Sequence, residues 1–589
     1  MSMHEDEIMG KAYDSRLMKR LLRYLLPYRW QVVIAVIILL IGSLAELMLP
    51  WLTKVAIDKY IATKALRGLA LIALLYFMVL LVQMVFGFLQ TWLTQRIGQK
   101  VMYDLRNEIF SHVQRLPLSY FDKNPVGRIV TRVTNDVETL NSMLSSGVVT
   151  IFGDVFVLLG IVVIMLLFNW RLALLTFTVL PLILYASHWF RIHVRESFRQ
   201  VRIRIARINS YLQENIMGMA TVQIFNREKK NFQRFDALNA DHLQAYLQTI
   251  YYYAVFYPVI ELISAAAIAL ILWYGGLQVI DGALTLGVVV AFIQYAQRFF
   301  QPIRDLSEKY NLMQAAMASS ERIFKLLDTP QQAFVPQEAL ALPPACGEIE
   351  FRDVSFGYNE SEEVLKKISF RINCGEKVAI VGATGAGKTT LINLINRMYE
   401  PTHGRILLDG VDTQRMALAQ LRRRVRMVLQ DVFIFSGTVE YNIRLGDQSV
   451  PMERVIQAAK DVRADDFISR LPEGYQTELS ERGSNLSVGQ KQLISFARAL
   501  VFDPEILIMD EATSSVDTET EILLREATNR LMTGRTSLII AHRLSTIQNV
   551  DWILVLHKGE VREMGTHEEL LAQKGIYYRL YQLQYHFNH

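Results

Sequence analysis

Long apolar stretches dominate the first half of the chain. They fall at about 31–50, 69–92, 146–168, 171–190, 254–276 and 283–303. A helix needs roughly 20 apolar residues to cross a bilayer core of about 30 Å, so this pattern predicts six transmembrane helices. The runs VVIAVIILLIG and FVLLGIVVIMLLF carry no charge, whereas buried helices of soluble proteins usually keep a polar face. The fourth and sixth stretches give the weakest signals, and Gln294, Gln297 and Arg298 dilute the sixth.

Two long polar segments, between spans two and three and between spans four and five, are rich in Lys and Arg. The first contains Arg96, Lys100, Arg106, Arg115, Lys123, Arg128 and Arg132, and the second contains Arg191, Arg195, Arg199, Arg202, Arg204 and Arg207. Basic residues favour the cytoplasmic side of a membrane, so both segments and both termini are expected there. The acidic start, MSMHEDEIM, predicts no cleavable signal. Residues 15–30 alternate basic and leucine-rich positions, which suits a helix lying at the membrane surface.

A different pattern begins near residue 347, where short apolar runs alternate with helical and glycine-containing segments. The run KVAIV is typical of a buried strand, and it leads into GATGAGKT and the helical run TLINLINRM. The octapeptide fits G-x-x-x-x-G-K-[ST], in which backbone N–H groups cradle phosphate oxygens, the lysine approaches the β/γ-phosphates and the hydroxyl residue holds Mg²⁺. The predicted nucleotide-binding residues are Gly382, Ala383, Thr384, Gly385, Ala386, Gly387, Lys388, Thr389 and Thr390.

A second apolar strand, ILIM, ends in two neighbouring acids, Asp510 and Glu511. Taken alone, the pair could be an ordinary strand end with two solvated carboxylates. With a phosphate loop upstream, it predicts that Asp510 binds Mg²⁺ together with Thr389, and that Glu511 polarises the attacking water.

With these motifs, residues 347–580 resemble the nucleotide-binding domain of an ATP-binding-cassette (ABC) transporter. The resemblance implies roles for further residues. Tyr358, in VSFGY, is similar to the aromatic residue that stacks on adenine, and Gln430, in VLQD, to the glutamine that reaches Mg²⁺ and the attacking water. His542, in AHR, resembles the switch histidine that contacts the γ-phosphate, and Asp517 resembles the loop aspartate at the dimer seam.

The run LSVGQ resembles the signature loop of this family, which closes over the γ-phosphate bound by the opposite subunit. Ser487, Gly489 and Gln490 match the motif, but Val488 replaces its usual second glycine. Because the serine hydroxyl and backbone N–H groups bind phosphate, a valine need not abolish function, although it removes the option of a positive φ. One phosphate loop and one signature loop on a single chain cannot complete a site in this family. The resemblance therefore implies a dimer.

The whole chain resembles half-transporters of the bacterial multidrug-resistance-like type. Residues 117–136 and 218–227 resemble the two loops whose short coupling helices contact the ATPase domains. The run NLSVGQKQLISFARAL is most similar to the B-half of heterodimeric pairs, which favours a heterodimer. The chain keeps its own Glu511 and His542, so a homodimer stays open.

The fold class predicted is a polytopic α-helical membrane domain with six transmembrane helices, followed by an α/β P-loop ATPase domain. The expected divisions are a membrane domain at 1–328, a linker at 329–346 and a nucleotide-binding domain at 347–589. The hydrophobic content of 51% is high for a soluble ATPase. The net charge of the chain is only +5, and its basic residues cluster beside the predicted spans, so no nucleic-acid partner is expected. Cys346 and Cys374 both fall on the predicted cytoplasmic side, so neither a disulfide nor a zinc site is implied.

The predicted function is ATP-driven export of a hydrophobic or amphiphilic solute across the inner (cytoplasmic) membrane, with ATP and Mg²⁺ as cofactors. The expected partners are a second half-transporter, membrane lipid and the solute. The resemblance suggests a multidrug-type substrate. A lipid or lipopeptide flippase would share every motif, while an ATP-gated channel or a non-transporting regulator is less favoured. Glu46, Asp154 and Glu261, in or near the spans, would suit cationic amphiphiles or could serve interhelical hydrogen bonds.

Overall fold

The computed structural model describes residues 14–332, 346–359, 362–510, 518–541, 547 and 549–587. The chain forms two compact units. The helical unit comprises Met1–Gln114 and Pro125–Thr329, and the α/β unit comprises Arg115–Asn124 and Pro330–His589. The short segment Arg115–Asn124 therefore packs with the α/β unit, although it lies in sequence between two helices of the helical unit.

Twelve α-helices precede the strands within the described residues. They are α1 (Ser15–Arg23), α2 (Arg29–Val55), α3 (Leu66–Val113), α4 (Leu118–Lys123), α5 (Val126–Thr131), α6 (Val137–Ser142), α7 (Val149–Phe168), α8 (Trp170–Phe177), α9 (Leu180–Met217), α10 (Met219–Ile224), α11 (Glu228–Ile280) and α12 (Leu286–Leu327). Helix α4 belongs to the α/β unit and the others belong to the helical unit. Short π-helical turns at Ala56–Ile61, Arg132–Asp136 and Met143–Val148 connect several of them.

Five described stretches of the helical unit are long and apolar enough to cross a membrane. They are Leu26–Ile61, Leu66–Val113, Ile151–Phe168, Trp170–Met217 and Glu228–Ile280. A sixth apolar helical stretch, Leu286–Phe299, is shorter. Large apolar side chains such as Phe88 and Leu167 are exposed on these helices, as expected where the surrounding solvent is lipid. The polytopic helical architecture predicted from the sequence is thus confirmed.

Short local signals set several helix ends. Asp14 caps α1 by accepting from the backbone N–H of Arg16 at 2.8 Å, so the predicted surface helix at 15–30 begins as expected. That helix ends at Arg23, and α2 begins at Arg29 after a 3₁₀ turn at Leu26–Tyr28. The predicted region is therefore a short helix, a turn and the start of the first span.

The α/β unit contains twelve strands within its described residues. They are β1 (Ile349–Phe356), β2 (Leu365–Ile372), β3 (Lys377–Val381), β4 (His403–Leu408), β5 (Val411–Asp412), β6 (Val425–Val428), β7 (Gly437–Thr438), β8 (Glu478–Leu479), β9 (Ile506–Asp510), β10 (Thr536–Ile540), β11 (Trp552–His557) and β12 (Glu560–Gly565). The main sheet has the order β12-β11-β3-β10-β9-β6. Its strands are parallel except for the edge strand β12. Strands β9 and β10 are buried along their whole length, which explains their unbroken apolar sequences.

The remaining helices of the α/β unit cover its sheets. They are α13 (Lys388–Ile395), α14 (Leu418–Arg424), α15 (Val439–Arg444), α16 (Met452–Asp461), α17 (Asp465–Ile468), α18 (Val488–Leu500), α19 (Thr518–Met532), α20 (His567–Gln573) and α21 (Ile576–Phe587). One hydrophobic core joins α13 to the antiparallel sheet β2-β1-β4-β5 and the main sheet. A second core gathers α15, α16, α18 and α19. The phosphate loop thus belongs to the first core and the LSVGQ run to the second.

The two cysteines depart from the expectation. Cys346 and Cys374 form a disulfide in this structure, with their Cα atoms 5.5 Å apart. The cause is the hairpin register: Ile349 pairs with Ile372, so the residues just outside the open end of β1 and β2 are brought side by side. The predicted redox compartment carries no information about this register. The expectation of no disulfide was wrong for this structure.

Candidate nucleotide site

The phosphate loop lies between β3 and α13, and its glycines are required by its shape. Gly385 and Gly387 have φ values of +81° and +101°, in the region that favours glycine. A Cβ on Gly382 would lie 2.4 Å from the carbonyl oxygen of Leu556, and one on Gly387 would lie 2.6 Å from Cδ2 of Leu365. The loop therefore passes too close to its neighbours for side chains. It leads directly into the N-terminus of α13, where unpaired N–H groups and the helix dipole favour anions.

Lys388 is held at the mouth of this loop. Its Nζ donates to the carbonyl oxygens of Gly382 at 2.7 Å and of Ala383 at 3.1 Å. Burial lowers the pKa of the Lys388 ammonium, and the nearby Asp510 carboxylate opposes that shift. A buried ammonium that donates to the carbonyl oxygens of the loop is suited to an anionic phosphate chain, because phosphate oxygens would replace these carbonyl partners. The residues present thus fit the predicted nucleotide.

The predicted metal and catalytic residues follow neighbouring strands at one edge of the main sheet. Asp510 ends β9 and is buried, and Gln430 lies exposed two residues after β6, the strand next to β9. The register pairs Ile540 with both Asp510 and Ile380, so β3, β9 and β10 end at the same level. The parallel sheet therefore places the loop after β3, Asp510 and Gln430 along one edge. Glu511, Asp517 and His542 lie outside the described residues, and their roles stay predictions.

Tyr358 stands beside the phosphate loop. Its hydroxyl lies 3.0 Å from Oγ1 of Thr390 in α13, and its ring is partly exposed, at 42%. Packing of the Tyr358 ring is edge-on to Phe356, with centroids 5.0 Å apart. A fixed ring with an exposed face is suited to stacking on a base, so the adenine role predicted for Tyr358 remains compatible with its position. Thr389 is exposed at the start of α13, as a hydroxyl ligand of Mg²⁺ would need to be.

The signature loop forms the start of α18. Ser487 is its N-cap: its Oγ accepts from the backbone N–H of Gln490 at 3.2 Å, and Oε1 of Gln490 accepts from the N–H of Ser487 at 2.9 Å. This reciprocal capping box fixes the loop without any glycine at position 488. Val488 is the first helical residue, has no positive φ and exposes its side chain. The conformational freedom that glycine would provide is therefore not used here, and Gly489 follows within the helix.

Two of the three acids in the spans are paired with bases of α12. Arg298 donates to the carbonyl oxygen of Glu46 at 2.7 Å, and its Nη1 lies 3.6 Å from the Glu46 carboxylate. Lys309 forms an ion pair with Asp154. Glu261 is exposed on α11. The interhelical interpretation of Glu46 and Asp154 thus fits the structure better than a cluster of uncompensated negative charge.

Sequence reasoning did not single out two residues of the α/β unit that lie near this site. Tyr399 follows α13 and packs edge-on against Tyr358, and its hydroxyl donates to Asp122 of α4. The run PLSYFDK resembles part of a coupling loop, but the resemblance does not indicate which of its residues contacts the ATPase. No motif pairs an aspartate with a tyrosine 277 residues later, so only the folded chain shows this contact.

Comparisons with known proteins agree with these observations. The family model of the ABC transporter transmembrane region matches residues 32–303, and that of the ABC transporter matches residues 365–514. The chain is similar to an ATP-dependent lipid A-core flippase of Syntrophus aciditrophicus (strain SB), with 39% identity covering 96% of this chain and 94% of the relative. A probable multidrug resistance ABC transporter ATP-binding/permease protein of Bacillus subtilis (strain 168), YheH, is 37% identical over 88% of this chain and 77% of the relative.

A solved structure is similar over nearly the whole chain. It is that of a bacterial Atm1-family ABC exporter with ATP bound, with a TM-score of 0.79 and 30% identity over 94% of this chain and 98% of the other. The matched families, the six apolar helical stretches and the phosphate-binding edge all occur together on one polypeptide. The chain is therefore a multi-pass membrane protein of the ABC transporter family, an ATP-binding half-transporter of the exporter type in which ATP hydrolysis is coupled to transport.

Proposed function

We propose that this chain is one half of a dimeric exporter that moves a hydrophobic or amphiphilic solute out of the cytoplasm or the inner leaflet. The observation that carries the proposal is the preformed phosphate loop, with Lys388 poised over it, on the same polypeptide as the membrane-crossing helices. The cytoplasmic membrane is the proposed location, with both nucleotide-binding domains on the cytoplasmic face. The basic segments between spans support that orientation.

Different residues of the chain are proposed to bind different parts of the nucleotide and to assist its hydrolysis. Gly382–Thr390 bind the phosphates, and Tyr358 stacks on the base. Thr389, Gln430 and Asp510 would hold Mg²⁺, which would neutralise charge on the phosphates of bound ATP. Glu511 orients and polarises the attacking water, and His542 contacts the terminal phosphate. The roles of Tyr358, Gln430 and His542 rest on the family resemblance.

The dimer follows from the incomplete site on each chain. Ser487, Gly489 and Gln490 at the start of α18 are proposed to close over the nucleotide of the opposite subunit, with Asp517 at the seam. The capping box supports this because it presents the first N–H groups of α18 in a fixed arrangement. We propose a heterodimer with a second half-transporter, on the similarity of NLSVGQKQLISFARAL to B-halves. Intact Glu511 and His542 make a homodimer the alternative.

Transport is driven by the difference in the affinity for ATP between the open and closed dimers. ATP favours the closed pair of nucleotide-binding domains because only that pair completes both sites, and a ligand shifts a conformational equilibrium only by such a difference. Closure moves the coupling loops, the helices change the side on which the solute cavity opens, and hydrolysis restores the starting state. The solute is proposed to be of the multidrug type, which the similarity to YheH, named a probable multidrug resistance ABC transporter, supports.

A lipid flippase is the second candidate, and two observations favour it. A relative of 39% identity is an ATP-dependent lipid A-core flippase. In addition, Glu46 and Asp154 are neutralised by Arg298 and Lys309, which removes much of the negative charge that would select cationic drugs.

The direct test is the ATPase rate of the purified chain in lipid nanodiscs, alone and with a second half-transporter of the same cell. A panel of cationic amphiphiles, neutral amphiphiles and lipids is then added. Stimulation by drugs supports multidrug export, and stimulation only by lipids supports the flippase. Activity that requires the second chain establishes a heterodimer. Absence of ATP hydrolysis under every condition would contradict the proposal.

The role of Glu511 has its own test. Glu511→Gln should keep ATP binding and trap a closed dimer with strongly reduced turnover, because the amide cannot polarise the attacking water. Glu505→Gln, just before the start of the same strand β9, is the matched control and should retain turnover. Unchanged hydrolysis in a homodimer of Glu511→Gln would refute the assignment. Residual turnover in a heterodimer would indicate a second competent site.

A further inference from the structure

The segment Arg115–Asn124 connects α3 and α5 of the helical unit but packs with the α/β unit. Its contacts with that unit include the following two. The hydroxyl of Tyr399 donates to the Asp122 carboxylate. The backbone N–H of Gln332 donates to the carbonyl oxygen of Arg115 at 3.0 Å, while Nε2 of Gln332 donates to the carbonyl oxygen of Arg397 at 3.0 Å. Tyr399 makes the first contact, and in the second Gln332 links Arg115 to Arg397, so both involve residues 397–399, which follow α13 after Asn396.

Hydrogen bonds and burial hold residues 397–399, which contact this segment, in place. The Arg397 guanidinium is buried and donates to the carbonyl oxygens of Thr413 at 3.2 Å and Met416 at 3.0 Å. Tyr399 is partly buried, and its burial, followed by its hydrogen bond to Asp122, raises the pKa of its hydroxyl. The hydroxyl consequently keeps its proton near neutral pH and acts as a donor to the carboxylate throughout that range.

The same tyrosine touches the nucleotide site. Its ring packs edge-on against the ring of Tyr358, with centroids 5.1 Å apart and planes at 88°. The Tyr358 hydroxyl in turn lies 3.0 Å from Oγ1 of Thr390, two residues after Lys388. Helix α13 also joins the two places directly: Lys388 stands at its start and Tyr399 four residues after its end. A continuous series of contacts thus connects the phosphate-loop side of α13 and the Tyr358 ring to Tyr399.

We propose that the Tyr399–Asp122 hydrogen bond transmits the nucleotide state of the phosphate loop to the segment Arg115–Asn124 of the same chain. Tyr399 is a positioning residue in this scheme, since it acts through Tyr358 and Thr390. The proposal rests on the function proposed above and deepens it. The family resemblance places a coupling helix in this region, and the geometry identifies which side chains connect it to the base side of the nucleotide site.

The test measures hydrogen exchange of the full chain in nanodiscs, with and without ATP and Mg²⁺, using peptides that cover residues 115–124 and 382–390. In the wild type, ATP should slow exchange in both peptides. Tyr399→Phe removes only the hydroxyl and keeps the ring on Tyr358. A hydrogen bond to a charged group is worth about 1.5 kcal/mol or more, which corresponds to a factor of about ten. The ATP-dependent protection of 115–124 should therefore fall about tenfold in this variant, while protection of 382–390 persists.

Three further variants make the result specific. Asp122→Ala should reproduce the loss, and Asp122→Asn, which keeps an acceptor oxygen, should restore part of the protection. The double variant Tyr399→Phe/Asp122→Ala should be no worse than either single change, because both remove the same bond. Tyr475→Phe is the matched control, since the Tyr475 hydroxyl also donates to a carboxylate, that of Asp465, at 2.6 Å.

The outcomes separate this inference from the proposed function. Absence of ATP protection at 382–390 in the wild type would count against the nucleotide site itself. Protection at 382–390 without any change at 115–124, or an unaltered response of 115–124 in Tyr399→Phe, would overturn the coupling role. Additive losses in the double variant would likewise show that the two residues act independently. A loss of equal size in Tyr475→Phe would show that the effect is a general one of tyrosine–carboxylate pairs.

Discussion

Replacing Gly387 by alanine should disable the phosphate loop more than its small size suggests. Gly387 has a φ of +101°, and a Cβ there would lie 2.6 Å from Cδ2 of Leu365. A left-handed conformation costs a non-glycine residue about 1–2 kcal/mol. The collision adds about 1–3 kcal/mol, because Leu365 is fully buried in the first core and cannot turn away freely.

A matched control isolates the collision from the backbone cost. Gly410, in the turn between β4 and β5, has a φ of +78°, and a Cβ there would meet no atom within 4 Å. Gly410→Ala should therefore carry only the backbone cost of about 1–2 kcal/mol. In a domain of this size each kcal/mol lowers the midpoint of thermal unfolding by about 2–4 °C. We expect a decrease of about 4 °C for Gly410→Ala and about 10 °C for Gly387→Ala.

The assay is thermal unfolding of the full chain in nanodiscs, followed with and without ATP and Mg²⁺. Wild type and Gly410→Ala should gain the same increase in midpoint from the nucleotide, because binding stabilises only the folded state. Gly387→Ala should gain little, since its Cβ displaces the start of α13 and with it Lys388. If Gly387→Ala unfolded at the same temperature as Gly410→Ala and kept the full increase with ATP, the close packing of the loop on Leu365 would be refuted.

Three further predictions concern the signature loop, the disulfide and the pH dependence of nucleotide binding. Val488→Gly should lower stability by about 0.5–1 kcal/mol without raising the ATPase rate, because Val488 already has a helical backbone; a clear gain in rate would show that valine restricts the site. Cys374→Ser should lower the free energy of unfolding by about 3–4 kcal/mol under oxidising conditions, because the bridge to Cys346 spans 28 residues, and should leave it nearly unchanged in reductant. Thiol alkylation with mass spectrometry would detect the bridge. If the variant were as stable as the wild type under oxidising conditions too, the prediction would be contradicted. Burial lowers the pKa of Lys388 in the folded protein below its ordinary 10.5, so between the lowered pKa and 10.5 the folded apo protein binds fewer protons than the unfolded chain. The stability of the apo protein should therefore rise with pH in this window, while the affinity for ATP falls because the ammonium loses its charge. Calorimetric titration at stepwise alkaline pH should show the weaker binding, and an affinity that does not change with pH would contradict the prediction.

The architecture could be predicted from the sequence because both parts carry strong periodic signals. Uncharged runs of about 20 residues have few alternatives to membrane helices. The phosphate loop was equally readable, because its glycines are fixed by local backbone geometry at Gly385 and Gly387. The polar residues of the sixth predicted span could also be read from the sequence. The partner of Arg298 could not: it is Glu46 in α2.

Contacts between distant segments could not be predicted. The Cys346–Cys374 bridge depends on the register of β1 and β2, and the bond between Tyr399 and Asp122 depends on how α4 docks. Neither leaves a local signal in the sequence. The sequence also could not show why a valine fits in the signature loop. The structure explains it, because the capping box between Ser487 and Gln490 fixes the loop without a glycine at position 488.

ATP-driven flux is the measurement that tests the central claim most directly. Proteoliposomes containing the chain, with its second half-transporter if one proves necessary, would be loaded with ATP and Mg²⁺ on the side of the nucleotide-binding domains. A compound that stimulates hydrolysis would be followed across the bilayer, with Glu511→Gln as the inactive comparison. The account predicts movement away from the nucleotide-binding side that requires ATP and is abolished in Glu511→Gln. Hydrolysis without any movement of the stimulating compound, or movement that is the same without ATP, would contradict it.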